Sequence, residues 1–424
     1  MNGKTRRLQP ERAAWIAGLM LVCGLVCLPA RADSSDIHGR LELQDAGSFA
    51  RGDSIDAALG GRNRNDLFGN LRLTWEPAWG RWSFSAHYVL NVEDGDSVRL
   101  ARDEAGLLPA SPSTWFNLTN TFVNHAHISG MQSIDRLSFA YTAPDFVVRI
   151  GRQALTWGSG LVFRPMDLFD PFSPSATDTE YKPGTDMIYA QWLFSDGSDL
   201  QFIIVPRPAR QGAQPSSDAS SVALHLHTSL LGHQTTLLLA RDHSDWVAGL
   251  GVNGALGDAT WNLELVPTFL AAGPARVSAL ANISDAVTLF DRNAMFFAEY
   301  FHNGFGVGSN AGFDLTSLPP DLTDRLARGQ LFNTRRDYLA AGLTLEVDPL
   351  LNVSSTLIVD LNDSSLFALF AGTYSLSDNL ALVAGVQVPV GPARTEFGGL
   401  PRAPASQAFL APPAQVYLQL RRYF

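Results

Sequence analysis

Leu67-Phe68-Gly69-Asn70-Leu71-Arg72-Leu73-Thr74-Trp75-Glu76 carries an apolar or small residue at every second position. Successive side chains of a β-strand point to opposite faces, so Leu67, Gly69, Leu71, Leu73 and Trp75 share one face and Asn70, Arg72, Thr74 and Glu76 share the other. Trp82, Phe84, Ala86, Tyr88 and Leu90 repeat the pattern, as do Val353, Ser355, Leu357, Val359 and Leu361. One face is broad and rich in aromatics; the other is polar but rarely crowded with charge. A strand wall with lipid on one side and water on the other needs that arrangement. A soluble β-sandwich also alternates, but with shorter strands and turns spaced about every 8–12 residues.

The breaks between such segments are uneven. Tight connections at Pro77–Arg81, Ala143–Asp145, Ser195–Asp199, Leu230–His233, Ala255–Asp258, Asp348–Leu351 and Leu376–Asn379, with a looser one at 285–291, alternate with long ones. The long ones fall at 46–65, 93–133, 155–185, 207–219, 268–276, 303–336 and 390–413. Short turns on one side and long loops on the other, with an even strand count, are expected of outer-membrane barrels. The pattern predicts an all-β, up-and-down antiparallel transmembrane barrel of about 18 strands, with about 16 as the alternative. Strands are expected near 134–142 and 277–284, among others. Trp75, Trp82, Tyr141, Phe146, Phe194 and Trp261 lie beside the short turns, where an interfacial girdle belongs.

Before the first strand, Lys4, Arg6, Arg7 and Arg12 precede an apolar run from Ala13 to Leu28, followed by Ala30-Arg31-Ala32. These features predict a cleaved secretory signal over residues 1–32 and one barrel domain over 33–424. Both cysteines, Cys23 and Cys27, would leave with the signal, which excludes disulfides and thiolate chemistry from the rest. Removing five basic residues and one acid shifts the net charge from −10 to −14 and leaves Lys182 as the sole lysine. An acidic chain without a basic cluster argues against nucleic-acid binding.

The chain ends Val416-Tyr417-Leu418-Gln419-Leu420-Arg421-Arg422-Tyr423-Phe424. A last alternating strand with a terminal Phe resembles the assembly signal of Gram-negative outer-membrane proteins, with Arg422 where an aromatic is more usual. A second resemblance is carried by Gly151-Arg152-Gln153, then Trp157-Gly158, then Pro165-Met166-Asp167. This run is similar to a motif of several outer-membrane barrel families and to the Gly-Arg-Gln of alginate-export-type porins. The resemblance implies an eighteen-stranded barrel with a role in solute passage or export, in the bacterial outer membrane. It implies as partners the membrane lipid and lipopolysaccharide, the barrel-assembly machinery and small solutes, and it leaves a homo-oligomer open.

The polar strand faces place Arg40, Arg72, Arg136, Arg149 and Arg421 on early strands and the last, against Glu264, Glu299, Glu346 and Asp360 on later ones. Two readings stay open: a transverse field across a water-filled lumen, or local ion pairs that satisfy the interior. The third long connection is unusual for an external loop, being dense in Gly, Pro, Asp and aromatics, including Trp157, Phe163, Phe169 and Phe172. Large apolar rings at a solvated tip are unfavourable, so the loop is expected to fold inward, with a small external core of its own as the alternative. Arg149, Arg152, Arg164, Asp167 and Asp170 are then candidates for a constriction, and Arg72, Glu299 and Glu346 for the wall around it.

Catalytic and metal signatures are weak. His225 and His227 share one strand face without evident partners, and Ser159 lacks the strand-turn-helix setting of a nucleophile. The sequence therefore predicts no enzyme, no cofactor and no metal, and a porin-like channel for small solutes. Two alternatives stand beside it: a surface, adhesive or structural barrel that does not conduct, and a channel opening laterally for hydrophobic compounds, where Pro206 or Pro267 interrupts a strand ladder.

Overall fold

A computed structural model describes residues 37–103, 114–308, 313–403 and 406–424. The expected leader, residues 1–32, lies outside the described residues. Eighteen antiparallel strands form the wall. They are β1 (Ile37–Phe49), β2 (Asn63–Trp75), β3 (Trp82–Gly95), β4 (Ile128–Thr142), β5 (Phe146–Gln153), β6 (Thr185–Leu193), β7 (Asp199–Val205), β8 (Ser221–Leu230) and β9 (His233–Asp242). The second half continues with β10 (Asp245–Leu256), β11 (Ala259–Phe269), β12 (Arg276–Leu289), β13 (Arg292–His302), β14 (Asp337–Asp348), β15 (Leu351–Asp360), β16 (Leu366–Ser377), β17 (Leu380–Val390) and β18 (Ala414–Tyr423).

Each wall strand pairs with the next, and β18 returns to β1 in a register running from Arg40 opposite Tyr423 to Phe49 opposite Ala414. The ring is closed, which leaves no sheet edge with unpaired backbone groups. Exposure alternates as the pattern requires. On β11, Leu263, Leu265 and Phe269 are exposed, whereas Asn262, Glu264, Val266 and Thr268 between them are buried. Beside the short turns, Trp82 packs on Phe139 and Tyr141, Trp75 on Phe84, and Phe146 on Trp192, so the outward girdle is a contacting set of rings.

Local geometry explains the turns. Leu231-Gly232 and Phe290-Asp291 each have positive φ at both positions, the backbone of a two-residue hairpin whose twist matches right-handed strands. For the second of these, the expected loose connection at 285–291 is corrected: β12 runs on to Leu289 and the turn is Phe290-Asp291 alone. Strand β4 also starts earlier than its sequence pattern suggests, at Ile128. Between its two halves the register against β3 slips by one residue at Asp135, a bulge that interrupts alternation and points Asp135 toward Arg72 and Arg136.

The connections on the other side carry the irregular structure. Among the described residues three short helices lie in them: α1 (Ile55–Gly60), α2 (Asp96–Asp103) and α3 (Pro320–Ala327). A short strand, Thr119–Asn124, adds to β4. The connection between β5 and β6, residues 154–184, has no regular element and holds the residues discussed next.

Candidate functional site

Residues 154–184 are pinned to inward-facing side chains from many strands. Near the start, the Trp157 indole N–H donates to Gln201 Oε1 at 2.9 Å, and its ring stacks on His225 with centroids 4.7 Å apart. Trp157, Met166, Leu168 and Phe169 pack into one apolar cluster with Met187, Ile203, Val205, Ala223, Leu238, Val247 and Val266, side chains of β6 to β11. Phe163 enters a second cluster with Leu280, Phe301, Tyr338, Ile358 and Phe367, from β12 to β16. Burial of these rings removes their apolar area from water and accounts for their presence in a connection.

Two wall carboxylates hold the backbone between the clusters. Glu299 on β13 accepts the N–H groups of Leu161, Val162 and Phe163 at 2.6–2.9 Å, and the Asn282 amide at 3.0 Å. Glu264 on β11 accepts both the N–H and the hydroxyl of Ser159 through Oε1. Charge-assisted hydrogen bonds to successive N–H groups are the strong kind, and they satisfy backbone donors that no regular element serves. The approach depends on glycine. A Cβ on Gly160 would lie 1.7 Å from the Phe163 carbonyl oxygen, and Gly158 has φ of +86° with the Glu264 carboxylate beside it.

The far end of the connection reaches the other side of the ring. Arg40 on β1 binds Asp178 at 2.6 Å and Glu180 at 2.8 Å, and the Tyr423 hydroxyl on β18 donates to Glu180. The Tyr181 ring lies under the guanidinium groups of Arg40 and Arg72, at 5.0 and 4.3 Å. Gln387 on β17 donates to the Ser175 carbonyl. At the neck, Lys182 meets both Asp167 oxygens at 2.6 and 2.7 Å and also donates to the Leu155 carbonyl. The segment is thus stapled to itself and tied to opposing parts of the wall. Burial pushes the Asp167 carboxyl up to about 6 and the Lys182 ammonium down from its ordinary value. Burial also raises Asp178, but hydrogen bonds from Arg40 and the Glu180 N–H outweigh it and hold this carboxyl low.

The structure sorts the candidate residues. Arg152, Asp167 and Glu299 are 6%, 3% and 1% exposed, and each is engaged: Arg152 with Asp186, Asp167 with Lys182, Glu299 with the loop backbone. All three side chains are therefore engaged within the protein rather than presented on an open surface. They position the loop. Arg72 is likewise buried, between Asp135 and Tyr181. Arg164 is half-buried over the Phe172 ring, and Asp170 accepts from the Thr185 hydroxyl. Arg149 lines an inner cavity with Glu76, His87 and Arg136. Glu346 sits apart near the β14–β15 turn, where the Asn293 amide donates to it. Lys182, Gln387 and Tyr423 were not candidates. The uniqueness of Lys182 was a usable signal; the other two are ordinary strand residues whose loop partners are distant in sequence.

Cavities lie on both sides of this segment. Toward the long connections are one of about 880 Å³, lined by Trp115, Asp170, Arg207, Arg210, Arg328 and Gln330 among others, and one of about 710 Å³ beside Ser173–Thr177 and Phe397. Toward the short turns are cavities of about 310 Å³ and 370 Å³, either side of Gln153–Thr156.

This geometry defines an eighteen-stranded, closed antiparallel β-barrel with a connection folded inside it. Solved structures agree on the fold. Acinetobacter baumannii OccAB3 superposes with a TM-score of 0.53 at 11% identity, over 92% of this chain and 99% of that one. Escherichia coli Wzi, described as an outer-membrane protein involved in group 1 capsule assembly and a carbohydrate-binding β-barrel, gives 0.52 at 7% identity over 98% and 89%. Pseudomonas aeruginosa OccK2, solved in complex with glucuronate, gives 0.51 at 9% identity over 92% and 97%. No protein-family model matches the sequence, and a search of curated proteins finds no match.

Proposed function

We propose that this chain is an outer-membrane channel for small polar solutes, with residues 154–184 narrowing its lumen. The observation that carries the reading is the tethering of one connection to opposing walls, by Glu264 and Glu299 on one side and Arg40 and Tyr423 on the other, with cavities above and below it. A bound substrate needs no chemistry from such a site; passage requires only a polar route whose width the loop limits. The outward belt of apolar and aromatic side chains supports membrane residence, and the terminal Phe424 supports delivery by barrel-assembly machinery after removal of the leader.

A second reading has one observation in its favour. On the side of the long connections, Gln330 donates to the Leu168 carbonyl and to Asp242, and Arg325 binds Asp245, so the 313–336 segment covers part of the mouth. A covered mouth suits a barrel that binds a glycan without conducting, and Wzi is described as carbohydrate-binding. Liposome swelling separates the two. The channel reading expects uptake of glycerol and small sugars at rates that fall steeply with size; no swelling with any of them favours the binding barrel.

A further inference from the structure

His225 and His227 project from one face of β8, and the structure gives them a setting unlike a metal site. No group of three or more His, Cys, Asp or Glu suited to a metal occurs among the described residues. Both histidines instead line the cavity of about 310 Å³ on the short-turn side, with Tyr189, Asp199, Gln201, Asn253, Ser159 and Glu264. Two polar side chains here are buried. His225, 7% exposed and stacked on Trp157, has no hydrogen bond to Nδ1; Glu264, 4% exposed, is held by the Ser159 N–H and hydroxyl through Oε1. A buried polar atom without a partner is costly unless something binds it.

The charge of the cavity indicates what that is. Its lining holds the carboxylates of Glu264 and Asp199 and no Lys or Arg. Asp199 takes neutral amide donors from Gln191 and Gln201, with His227 at 3.5 Å, so no fixed positive charge balances the pair. Carboxylates in a confined space, beside acceptor nitrogens and a tyrosine face, favour a donor that carries positive charge. We infer that this inner cavity binds a small protonated amine, its N–H groups meeting the Asp199 carboxylate and the open edge of the His225 imidazole, with the Glu264 carboxyl behind them. The inference rests on the channel reading only in naming the cavity as a stage of passage; binding itself is independent of conduction.

Ethanolamine, ethylene glycol and glycolate form a matched series with positive, zero and negative charge. Titration calorimetry of the refolded full-length mature barrel in detergent is expected to show millimolar or tighter binding for ethanolamine alone. Asp199→Asn is expected to weaken it roughly tenfold and His225→Phe, which keeps a ring on Trp157, several-fold. Heat-modifiable gel mobility reports that each variant is folded. Ethylene glycol binding as well as ethanolamine, glycolate binding better, or equal affinity in folded variants would each overturn the inference. Conductance of the same preparation, measured separately, tells failure of the channel reading from failure of the site.

Discussion

Glu299 shows how a single residue converts charge into architecture. Its carboxylate faces three consecutive N–H groups and an amide, so the negative charge is spread over four donors in a buried setting. Glu299→Gln keeps the shape but replaces an acceptor of charge-assisted bonds with a mixed donor and acceptor. The expected loss is about 2 kcal/mol in denaturant unfolding. Faster chymotrypsin cleavage after Phe163 is the local readout. Asp167 and Lys182 behave differently because they form a buried ion pair at the neck. Lys182→Met should cost roughly 3–5 kcal/mol by stranding a buried carboxylate, and adding Asp167→Leu should restore much of it.

The same pair sets a pH dependence with a definite sign. Asp167 is raised to about 6 in the fold against about 3.9 for an unfolded aspartate. The folded chain therefore binds this proton more readily, so the contribution of Asp167 to stability grows as pH falls from about 6 and is complete below about 4. Asp178 is held low and acts oppositely, contributing above its unfolded value and losing that contribution in stronger acid. Urea midpoints measured at pH 8, 5 and 3 should rise and then fall. In Asp167→Asn the rise between pH 8 and 5 should shrink.

At the scale of elements, strand spans were legible because successive side chains of a closed barrel wall must alternate between its inner and outer faces. Legibility failed where backbone geometry overrode the pattern. Asp135 occupies a bulge, so the apolar sequence on its far side falls out of phase and the Ile128–Ser133 half of β4 was hidden. The inward course of residues 154–184 was readable from their aromatic density, but the fastenings were not, since Glu264, Arg40 and Gln387 resemble other lumen residues until register brings them opposite the loop. The tight turn through Gly160 gives a direct prediction. Gly160→Ala places a methyl against the Phe163 carbonyl, and the turn must open to accommodate it. The expected result is a loop released from Glu299, seen as chymotrypsin sensitivity at Phe163 with the heat-modifiable barrel band retained.

Across the whole molecule, Arg40 of β1 and Arg421 of β18 face the acidic end of the loop, Arg72 of β2 and Arg136 of β4 pair with the bulged wall residue Asp135, and the carboxylates of β11 and β13 face the loop's backbone donors. The two readings of that charge asymmetry therefore meet: most of it is matched locally, and the matching is what carries the loop from one wall to the other. Electrostatic complementarity of this sort specifies where a connection lies more than how stable the barrel is. The sequence supplied the charges and their strands, while their partners became visible only once the ring closed.

Single-channel conductance of the refolded protein in planar bilayers, beside a variant lacking residues 158–180, tests this account most directly. A small steady conductance in the intact barrel, rising several-fold in the deletion, is the predicted result. Silence from both forms, with each folded and inserted, would contradict the account and identify a barrel that does not conduct.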